Sequence, residues 1–520
     1  MTEPQYFTGF GNEFESECLP GALPKGRNNP KKVPYNLYTE QLSGTAFTKP
    51  RDTNRRTWLY RLQPSVAATI HHTTRTHTFF GHANPSDCQP VVDPLRWNPP
   101  KTNNNKTSAS STTSEKTLDF IQGCQLMCHA GSPAMKSGLA IYQYEFQSNM
   151  LHMDHDDDNE QNEDASSRSP QQALYNADGE FLIVPQKSSL EIWTELGRLT
   201  VAPQEICVIP RGMVFAVNVW DDDSCFDDNN SNDDDASEIS SARGYMLEVY
   251  GGDGFQLPEL GPIGSNGLAN PRDFLSPTAQ TYQASIPKVR PFQISIKMQS
   301  QLFVKDSDHS PFNVVAWHGN YVPYKYDLRR FCAVNSVTFD HLDPSIYTVL
   351  TCPSGVMPGT ALADFVIFPH RWMSTDEDTF RPPWFHRNTM SEFMGLITGQ
   401  YDAKQAGKGG FQPGGASLHN CMTPHGPDAK AYEKATNDPC KEPVYFDKGL
   451  AFMFETYLPL TVAPEALNDE EWRDMDYGKH SWETLTNQHF TAWDALQQVE
   501  QERADQRLQA RKEMMNQSKK

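Results

Sequence analysis

The feature that most constrains the fold of this chain is a repeated pattern of short, alternating apolar runs, broken by glycine or proline about every ten residues. The pattern is clearest in segments 181–201 and 205–217. It returns in 345–351, 363–369 and 451–456. Short strands at this spacing fold into sandwiches or closed barrels, and 38 prolines and 32 glycines supply the turns. The sequence therefore predicts an all-β dominated fold with a few peripheral helices.

The length of the chain sets its domain organisation. A chain of 520 residues allows about three domains, or two large β-rich ones. We predict an N-terminal β domain at 1–309 and a C-terminal β domain at 310–487. The segment 488–520 has no glycine or proline and is polar almost all round, so it is predicted to be a helical tail.

Most of the net negative charge lies in two short segments. The chain has 45 Lys and Arg against 65 Asp and Glu, which gives a net charge of −20. Segments 150–170 and 221–242 hold seven and nine of these acidic residues. Neither has the spacing of a calcium loop, and both are predicted to be surface insertions, as is the polar segment 101–116. Elsewhere no basic stripe with interleaved aromatics is found, so we expect no nucleic-acid partner.

The sequence predicts a cytoplasmic protein without a membrane partner. Its first residues have no basic region followed by an apolar stretch, so no signal peptide is expected. No run approaches the roughly 20 apolar residues that cross a bilayer. Ten cysteines scattered from Cys18 to Cys440 are too irregular for a disulfide framework, which favours a reducing compartment. The close pair Cys124 and Cys128 is interpreted as two small core residues.

The densest group of candidate metal ligands contains His386, Glu392, His419 and His425. Two histidines and one carboxylate suit a non-haem Fe(II) site, because they leave coordination positions open for substrate and O2. The spacing alone fits three unrelated polar residues equally well. A helix would separate the first two residues by about 9 Å along its axis, and a straight strand by about 20 Å. A turn at 387–389 is therefore required, so that His386 ends one strand and Glu392 begins the next.

Two short motifs resemble those of the cupin family. The segment 386–399 reads His-x-Asn-x3-Glu-x6-Gly, which resembles the first cupin motif with Asn388 in place of its second histidine. The segment 210–215 resembles the second motif, with Phe215 in place of the metal histidine. The resemblance implies two cupin-like β-barrel or jelly-roll domains. It also implies that the N-terminal barrel is metal-free and that the C-terminal barrel is catalytic.

Longer blocks make the resemblance more specific. Segments 6–13, 36–47, 261–274, 311–321 and 423–428 resemble the homogentisate 1,2-dioxygenase family of bicupin ring-cleavage enzymes, in order along the chain. The resemblance implies O2-dependent opening of the homogentisate ring to 4-maleylacetoacetate, a step of tyrosine and phenylalanine breakdown. It also implies Fe(II) as cofactor, homogentisate and O2 as the small-molecule partners, and a homohexamer built as a dimer of trimers.

The same resemblance implies roles for individual residues. His386, Glu392 and His425 would hold Fe(II), and His425 would also contact the substrate. His318 would act as the base that takes the phenol proton, a role that suits an imidazole because its pKa lies near neutrality.

Two further residues are implied to line the substrate pocket, and one pair departs from the family. Tyr401 would contact the substrate through its hydroxyl, and His419 would line the pocket. Tyr401 could instead be a core aromatic on a strand. Trp384 and Phe385 stand where the family is expected to have tyrosines, a change that alters polar contacts at the pocket wall.

Two other functions stay open at this point. The first is an Fe(II) or Mn(II) cupin oxygenase that acts on another aromatic acid, such as a gentisate-like diol, and only the substrate pocket would distinguish it. The second is a metal-free bicupin with a binding role. This second function predicts that the candidate histidines and the glutamate do not converge.

Overall fold

The computed structural model describes most of the chain, namely residues 4–25, 30–70, 73–100, 117–152, 170–220, 241–259, 267–282, 291–334, 347–373, 377–401, 411–487 and 491–518. The predicted insertion at 101–116 lies outside the described residues, and so do nearly all of those at 150–170 and 221–242.

Strands are the dominant elements of the described residues. In chain order they are β1 (Tyr6–Thr8), β2 (Phe14–Glu17), β3 (Tyr38–Ser43), β4 (Arg56–Arg61), β5 (Thr74–Phe79), β6 (Gln89–Pro90), β7 (Leu95–Trp97), β8 (Cys124–Ser132), β9 (Ser137–Phe146), β10 (Gln171–Asn176), β11 (Glu180–Lys187), β12 (Ser189–Thr194), β13 (Gly197–Val201), β14 (Glu205–Ile209), β15 (Phe215–Trp220), β16 (Ala242–Val249), β17 (Gly267–Leu268), β18 (Phe274–Pro277), β19 (Phe292–Met298), β20 (Gln301–Ser307), β21 (Val314–Gly319), β22 (Tyr324–Asp327), β23 (Cys332–Ala333), β24 (Tyr347–Pro353), β25 (Ala361–Phe368), β26 (Arg371–Trp372), β27 (Ser391–Gly399), β28 (Ala416–His419), β29 (Tyr445–Phe446), β30 (Gly449–Thr456) and β31 (Thr461–Val462).

Helices are few and mostly short. The α-helices are α1 (Phe120–Gly123), α2 (Ala429–Asn437), α3 (Pro464–Asn468), α4 (Tyr477–Trp482) and α5 (Thr491–Gln517). Short 3₁₀ turns lie at Pro34–Asn36, Ser65–Ile70, Pro85–Asp87, Pro133–Met135, Pro271–Asp273, Leu328–Arg330 and Glu483–Asn487. No helix within the described ranges has the length and apolar character needed to span a bilayer.

The strands form four main sheets and two small ones. A ten-stranded sheet has the order β1-β18-β22-β14-β11-β16-β9-β8-β31-β6, and a seven-stranded sheet has the order β13-β12-β15-β10-β19-β20-β5. A six-stranded sheet has the order β24-β25-β30-β27-β28-β7, and a four-stranded sheet has the order β2-β21-β4-β3. The pairs β17-β23 and β26-β29 complete the set.

The ten-stranded sheet is covered on both faces. Phe181 of β11 contacts Phe215 in the seven-stranded sheet, with ring centroids 6.2 Å apart. Tyr245 of β16 contacts Phe452 in the six-stranded sheet, with ring centroids 4.8 Å apart. Phe181 and Tyr245 project from opposite faces, because Tyr245 pairs with Val184 and side chains alternate along β11. Cover on both faces explains why residues 181–185 of β11 form a continuous apolar run.

The six-stranded sheet has one core face and one face that carries polar residues. From its central strand, β27, Phe393 and Ile397 enter the main core, and Phe393 stacks on Phe454 with ring centroids 6.2 Å apart. Glu392 and Met394 project from the opposite face, because successive side chains of a strand alternate. Met394 lies there in a small apolar cluster that is separate from the main core. Glu392 thus lies on a strand that Phe393 and Ile397 anchor in the main core.

The described residues form two compact units. Met1–Met475 is the first, and Asp476–Lys520 is the second. The second unit contains α4 and α5, and α5 lies within the segment predicted to be a helical tail. The prediction of an all-β dominated fold is confirmed, since strands far outnumber helices. The predicted boundaries 309/310 and 487/488 stay predictions.

Candidate metal centre

Two histidines are brought together by a short stretch of backbone pairing. His386 and His425 form an antiparallel bridge, in which each backbone N–H donates to the other residue's carbonyl at 2.9 and 3.0 Å. A further bond from Met422 N to Asn388 O, at 2.8 Å, extends the pairing. The two imidazole rings lie 4.2 Å apart between centroids. The histidine that precedes the turn and the one in the Thr-Pro-His-Gly-Pro segment are therefore neighbours.

A tight turn delivers the carboxylate to the same place. Asn388 Oδ1 accepts a hydrogen bond from Met390 N at 2.6 Å, which closes an Asx turn. The chain then enters β27, where Glu392 is the second residue. The predicted turn between His386 and Glu392 is confirmed, although it is centred one residue later than expected. His386 does not end a strand as predicted, because it lies in an isolated bridge, and the next strand begins at Ser391 rather than at Glu392. Asp428, which caps the N-terminus of α2 by accepting from Ala431 N at 2.7 Å, ends the loop that follows His425.

The three side chains converge as the ligands of one metal ion would. Nε2 of His425 lies 3.0 Å from Glu392 Oε2, and Nε2 of His386 lies 3.8 Å from Glu392 Oε1. The three ligand atoms all lie within 4.8 Å of one another. Adjacent ligands of an octahedral ion with bonds of about 2.1 Å are about 3 Å apart, so a small contraction suffices to close the site. Among the described residues, His386, Glu392 and His425 are the only group of three side chains found close enough together to hold a metal ion.

Both imidazoles are fixed in the tautomer that a metal needs. His386 Nδ1 lies 2.8 Å from the carbonyl oxygen of Trp384, and His425 Nδ1 lies 2.8 Å from that of Thr423. A carbonyl only accepts hydrogen bonds, so each Nδ1 carries a proton, and Nε2 is the ring nitrogen that is left to bind a metal when it is unprotonated. Metal-binding histidines are commonly oriented by such a backbone bond. The donor set therefore fits a divalent metal.

The electrostatics of the site keep its carboxylate ionised. Burial alone would raise the pKa of Glu392, but hydrogen bonds from His386, His419 and His425 outweigh it and hold that pKa well below its ordinary value. For His386, burial lowers the pKa, and the bonds to Glu392 and to the Trp384 carbonyl more than offset this, so its pKa is raised. The site thus attracts positive charge, which a metal cation would supply in place of a proton.

His419 lies beside the three candidate ligands. It is the cross-strand partner of Glu392 on β28, and its Nδ1 is 3.6 Å from Glu392 Oε2. Its ring is nearly parallel to that of His425, at 4° and 4.3 Å between centroids. This position is compatible with the predicted role in the pocket lining, which stays a prediction.

The structure does not bring His318 to the same cluster. It lies on β21 in the four-stranded sheet, opposite Glu15 and Trp58, and its Nε2 is 3.3 Å from the Tyr60 hydroxyl. Burial lowers the pKa of His318, which nearby Glu13 only partly offsets. His318 is therefore a neutral imidazole near pH 7. Its contacts among the described residues belong to its own sheet.

Tyr401 also lies apart from the three candidate ligands. It follows the far end of β27 from Glu392, and nine residues of straight strand would span about 30 Å. Its ring contacts Phe368 at 5.3 Å and Phe411 at 6.2 Å between centroids. Its contact with substrate stays a prediction.

Trp384 and Phe385 pack around the first ligand. The Trp384 ring meets the His386 ring edge to face at 5.3 Å, and its carbonyl orients the imidazole, as described above. Phe385 contacts Tyr432 of α2 at 5.5 Å.

In the N-terminal half, Phe215 stands where the second cupin motif has its metal histidine. It is buried against Phe181 and other aromatic rings.

Sequence reasoning missed a row of buried and half-buried acids that crosses the six-stranded sheet. Asp364 pairs with Glu455, Glu455 with Glu392, and Glu392 with His419, so all four lie side by side on one face. Burial, followed by the charges of Glu392 and Asp364, raises the pKa of Glu455 to about 8. Burial also raises the pKa of Asp364 to about 6. The sequence does show a single acid inside each of these apolar strands. That these acids are neighbours depends on the pairing register of the strands, which the sequence does not show.

The raised pKa of Glu455 predicts a pH-dependent stability. Because the folded-state value of about 8 exceeds the ordinary 4.5, the folded chain holds this proton more tightly than the unfolded chain does. This contribution is complete below the unfolded value and is lost as pH rises through the folded one. In chelator-treated protein, the melting temperature of wild type should therefore fall by a few degrees more than that of Glu455→Gln between about pH 5 and pH 9.

The matched control for this measurement is Glu470→Gln, a substitution of an exposed glutamate. It should follow the wild-type melting curve at both pH values. Equal declines for wild type and Glu455→Gln would show that Glu455 does not hold an extra proton.

Comparison with known proteins places the chain among relatives of one kind. A family model described as homogentisate 1,2-dioxygenase N-terminal matches residues 5–328. A second, described as homogentisate 1,2-dioxygenase C-terminal, matches residues 329–490. Together the two models cover nearly the whole chain.

Curated relatives match over almost their entire length. The homogentisate 1,2-dioxygenase of Homo sapiens is 47% identical over 500 residues, which cover 94% of this chain and 98% of the human protein. That of Drosophila melanogaster is 46% identical, covering 95% of this chain and 98% of the relative. That of Rhizobium etli is 44% identical, covering 95% of this chain and 94% of the relative.

Similarity to solved structures is much weaker. A cupin 2 conserved barrel domain protein from Leptotrichia buccalis has a TM-score of 0.25 and 7% identity, covering 68% of this chain and 92% of the other. A mutant of Bacillus subtilis oxalate decarboxylase has a TM-score of 0.24 and 10% identity, covering 68% and 81%. Similarity at this level carries no argument about the present chain.

Proposed function

The chain belongs to the homogentisate 1,2-dioxygenase family, and from this premise we propose that His386, Glu392 and His425 hold the Fe(II) with which it opens the ring of homogentisate. The reaction is that of a ring-cleaving dioxygenase, which consumes O2 and yields 4-maleylacetoacetate. The observation that carries the proposal is the convergence of these three side chains, with the Nε2 atom of each histidine facing the carboxylate.

The choice of Fe(II) rests on the chemistry of the donor set. Two neutral imidazoles and one carboxylate are the ligands of non-haem Fe(II) oxygenases, and they leave up to three of six positions open. Bound Fe(II) would supply the electron that O2 needs and the open positions at which substrate and O2 meet. The chain itself provides an ionised, buried Glu392 and two imidazole rings that are oriented by hydrogen bonds from Nδ1 to backbone carbonyls.

Three more residues act on the substrate in this proposal. His318 accepts the phenolic proton, because its lowered pKa keeps the imidazole neutral near pH 7. Tyr401 donates its hydroxyl proton to a polar group of homogentisate, and His419 lines the pocket next to His425. Support for His419 comes from its stacking on His425 at 4.3 Å. Support for the other two comes from the family resemblance.

The organisation of the protein forms part of the same proposal. We propose two cupin-like domains at 1–309 and 310–487, a cytoplasmic location, and a homohexamer built as a dimer of trimers. The two family models support a division into an N-terminal and a C-terminal part, although they meet between residues 328 and 329 rather than between 309 and 310. Light scattering of the purified chain would measure the assembly state directly.

Substrate preference tests the proposed function. The Fe(II)-loaded protein should consume O2 with homogentisate at a kcat/KM at least about 100-fold higher than with gentisate, since only the former has the acetate side chain that the pocket would bind. Oxygen uptake measured with each acid in turn gives the ratio. A preference for gentisate would assign the site to another ring acid.

A further inference from the structure

Asn388 holds one oxygen of the candidate ligand Glu392. Its Nδ2 donates to Glu392 Oε1 at 2.6 Å, while its Oδ1 accepts from Met390 N at 2.6 Å. Its backbone carbonyl accepts from Met422 N at 2.8 Å. Because a backbone N–H only donates, the side-chain amide can be oriented in one way, with its NH₂ group towards the carboxylate.

The two oxygens of Glu392 therefore have different surroundings. Oε1 accepts from the amide of Asn388 at 2.6 Å and has Nε2 of His386 farther away, at 3.8 Å. Among the described residues, Oε2 has no amide donor and faces Nε2 of His425 at 3.0 Å and Nδ1 of His419 at 3.6 Å. A hydrogen bond to an ionised carboxylate oxygen is strong, because the acceptor is charged. Turning Oε1 towards a metal would move it away from the Asn388 amide and weaken this bond.

We propose that Asn388 is a positioning residue that makes Glu392 a one-oxygen ligand. With Oε1 held by Asn388, Glu392 binds the metal through Oε2 alone. A second bond from Oε1 would occupy a coordination position that the substrate or O2 requires. The amide is neutral and its oxygen is engaged by Met390, so Asn388 does not itself bind the metal. This inference rests on the proposed metal site. It adds a reason why coordination positions of the metal stay open for substrate and O2.

The test uses Asn388→Ser, which keeps a side-chain oxygen able to accept from Met390 N but removes the donor to Glu392. Co(II) serves as the probe, because its visible absorption weakens as its coordination number rises. Cobalt is titrated into full-length, metal-depleted protein, and its dissociation constant is measured in competition with a chelator. The matched control is Asn437→Ser, in which the lost amide bonds only to the Glu433 carbonyl of α2.

Asn388→Ser should bind Co(II) about 10- to 100-fold more weakly than wild type, with weaker visible bands, whereas Asn437→Ser should match wild type. Melting temperatures of the three proteins will separate this effect from general unfolding. An Asn388→Ser protein with the wild-type dissociation constant and spectrum would overturn the positioning role alone. Failure of wild type to bind Co(II) would overturn both this role and the proposed metal site.

Discussion

Glu392→Ala is expected to be purified without iron and to show no oxygen uptake with homogentisate. The substitution removes the one negatively charged group of the candidate metal centre and leaves two imidazoles, which retain a metal poorly. It also leaves His386, His419 and His425 without the carboxylate that faces all three. Iron per chain, measured by elemental analysis after anaerobic loading, should fall to the level of a chelated blank, and turnover should fall with it.

The same loss of iron and of oxygen uptake is expected for His386→Ala.

The matched control for Glu392→Ala is Glu433→Ala, which replaces an exposed glutamate of α2 and should retain iron and activity. Full iron occupancy with activity retained in Glu392→Ala would show that the ion lies elsewhere. Iron bound at full occupancy with activity lost would show instead that Glu392 acts on the substrate rather than on the metal.

His318→Ala is expected to keep its iron and to lose about 10²- to 10⁴-fold in rate, the usual cost of removing a general base. The retained iron follows from the structure, because the contacts of His318 lie within the four-stranded sheet. The lowered pKa adds a second signature. In wild type, kcat/KM should rise with pH through a value below the ordinary 6.5 of imidazole and be level near neutrality. The variant should lack this rise.

The matched control for this prediction is His77→Ala, which removes an exposed histidine of β5. It should resemble wild type in iron content, rate and pH profile. Loss of iron in His318→Ala would mean that base and ligand had been interchanged. A wild-type rate with full iron would remove His318 from the reaction.

The strands and the turn at the metal centre could be predicted because they depend on local sequence. Alternating apolar runs predicted the strands, and the His386–Glu392 spacing required a turn that the Asx turn of Asn388 provides. The continuous apolar run at 181–185 of β11 marks a strand covered on both faces, which a pattern of alternation alone does not show. Local patterns thus gave the elements, and tertiary packing decided which faces were buried.

The neighbours of the site could not be predicted, because they depend on strand register between distant segments. Asp364 and Glu455 meet Glu392 only through the pairing of β25, β30 and β27. A shift of one residue in either pairing would move these acids to the opposite face. Contacts of backbone groups could not be predicted from the sequence either. The Trp384 carbonyl, not its side chain, accepts the hydrogen bond that orients the His386 ring.

The structure places neither His318 nor Tyr401 in the cluster of the three candidate ligands. Both were predicted to meet the substrate at the metal, yet one lies in the four-stranded sheet and the other beyond the far end of β27. Their roles therefore rest on the variants of each residue rather than on proximity. For Tyr401, the informative change is Tyr401→Phe, which should raise KM for homogentisate about 10-fold while leaving iron content unchanged, because it removes only a hydrogen bond.

The central claim is that one Fe(II), held by His386, Glu392 and His425, lets this chain open the homogentisate ring with O2. Metal-free protein should be loaded anaerobically with Fe(II) and then given homogentisate and O2, while oxygen uptake and the ultraviolet absorption of maleylacetoacetate are followed together. The account predicts that one O2 is consumed for each homogentisate, and that an iron chelator stops both signals. Iron bound at full occupancy with neither signal would contradict it.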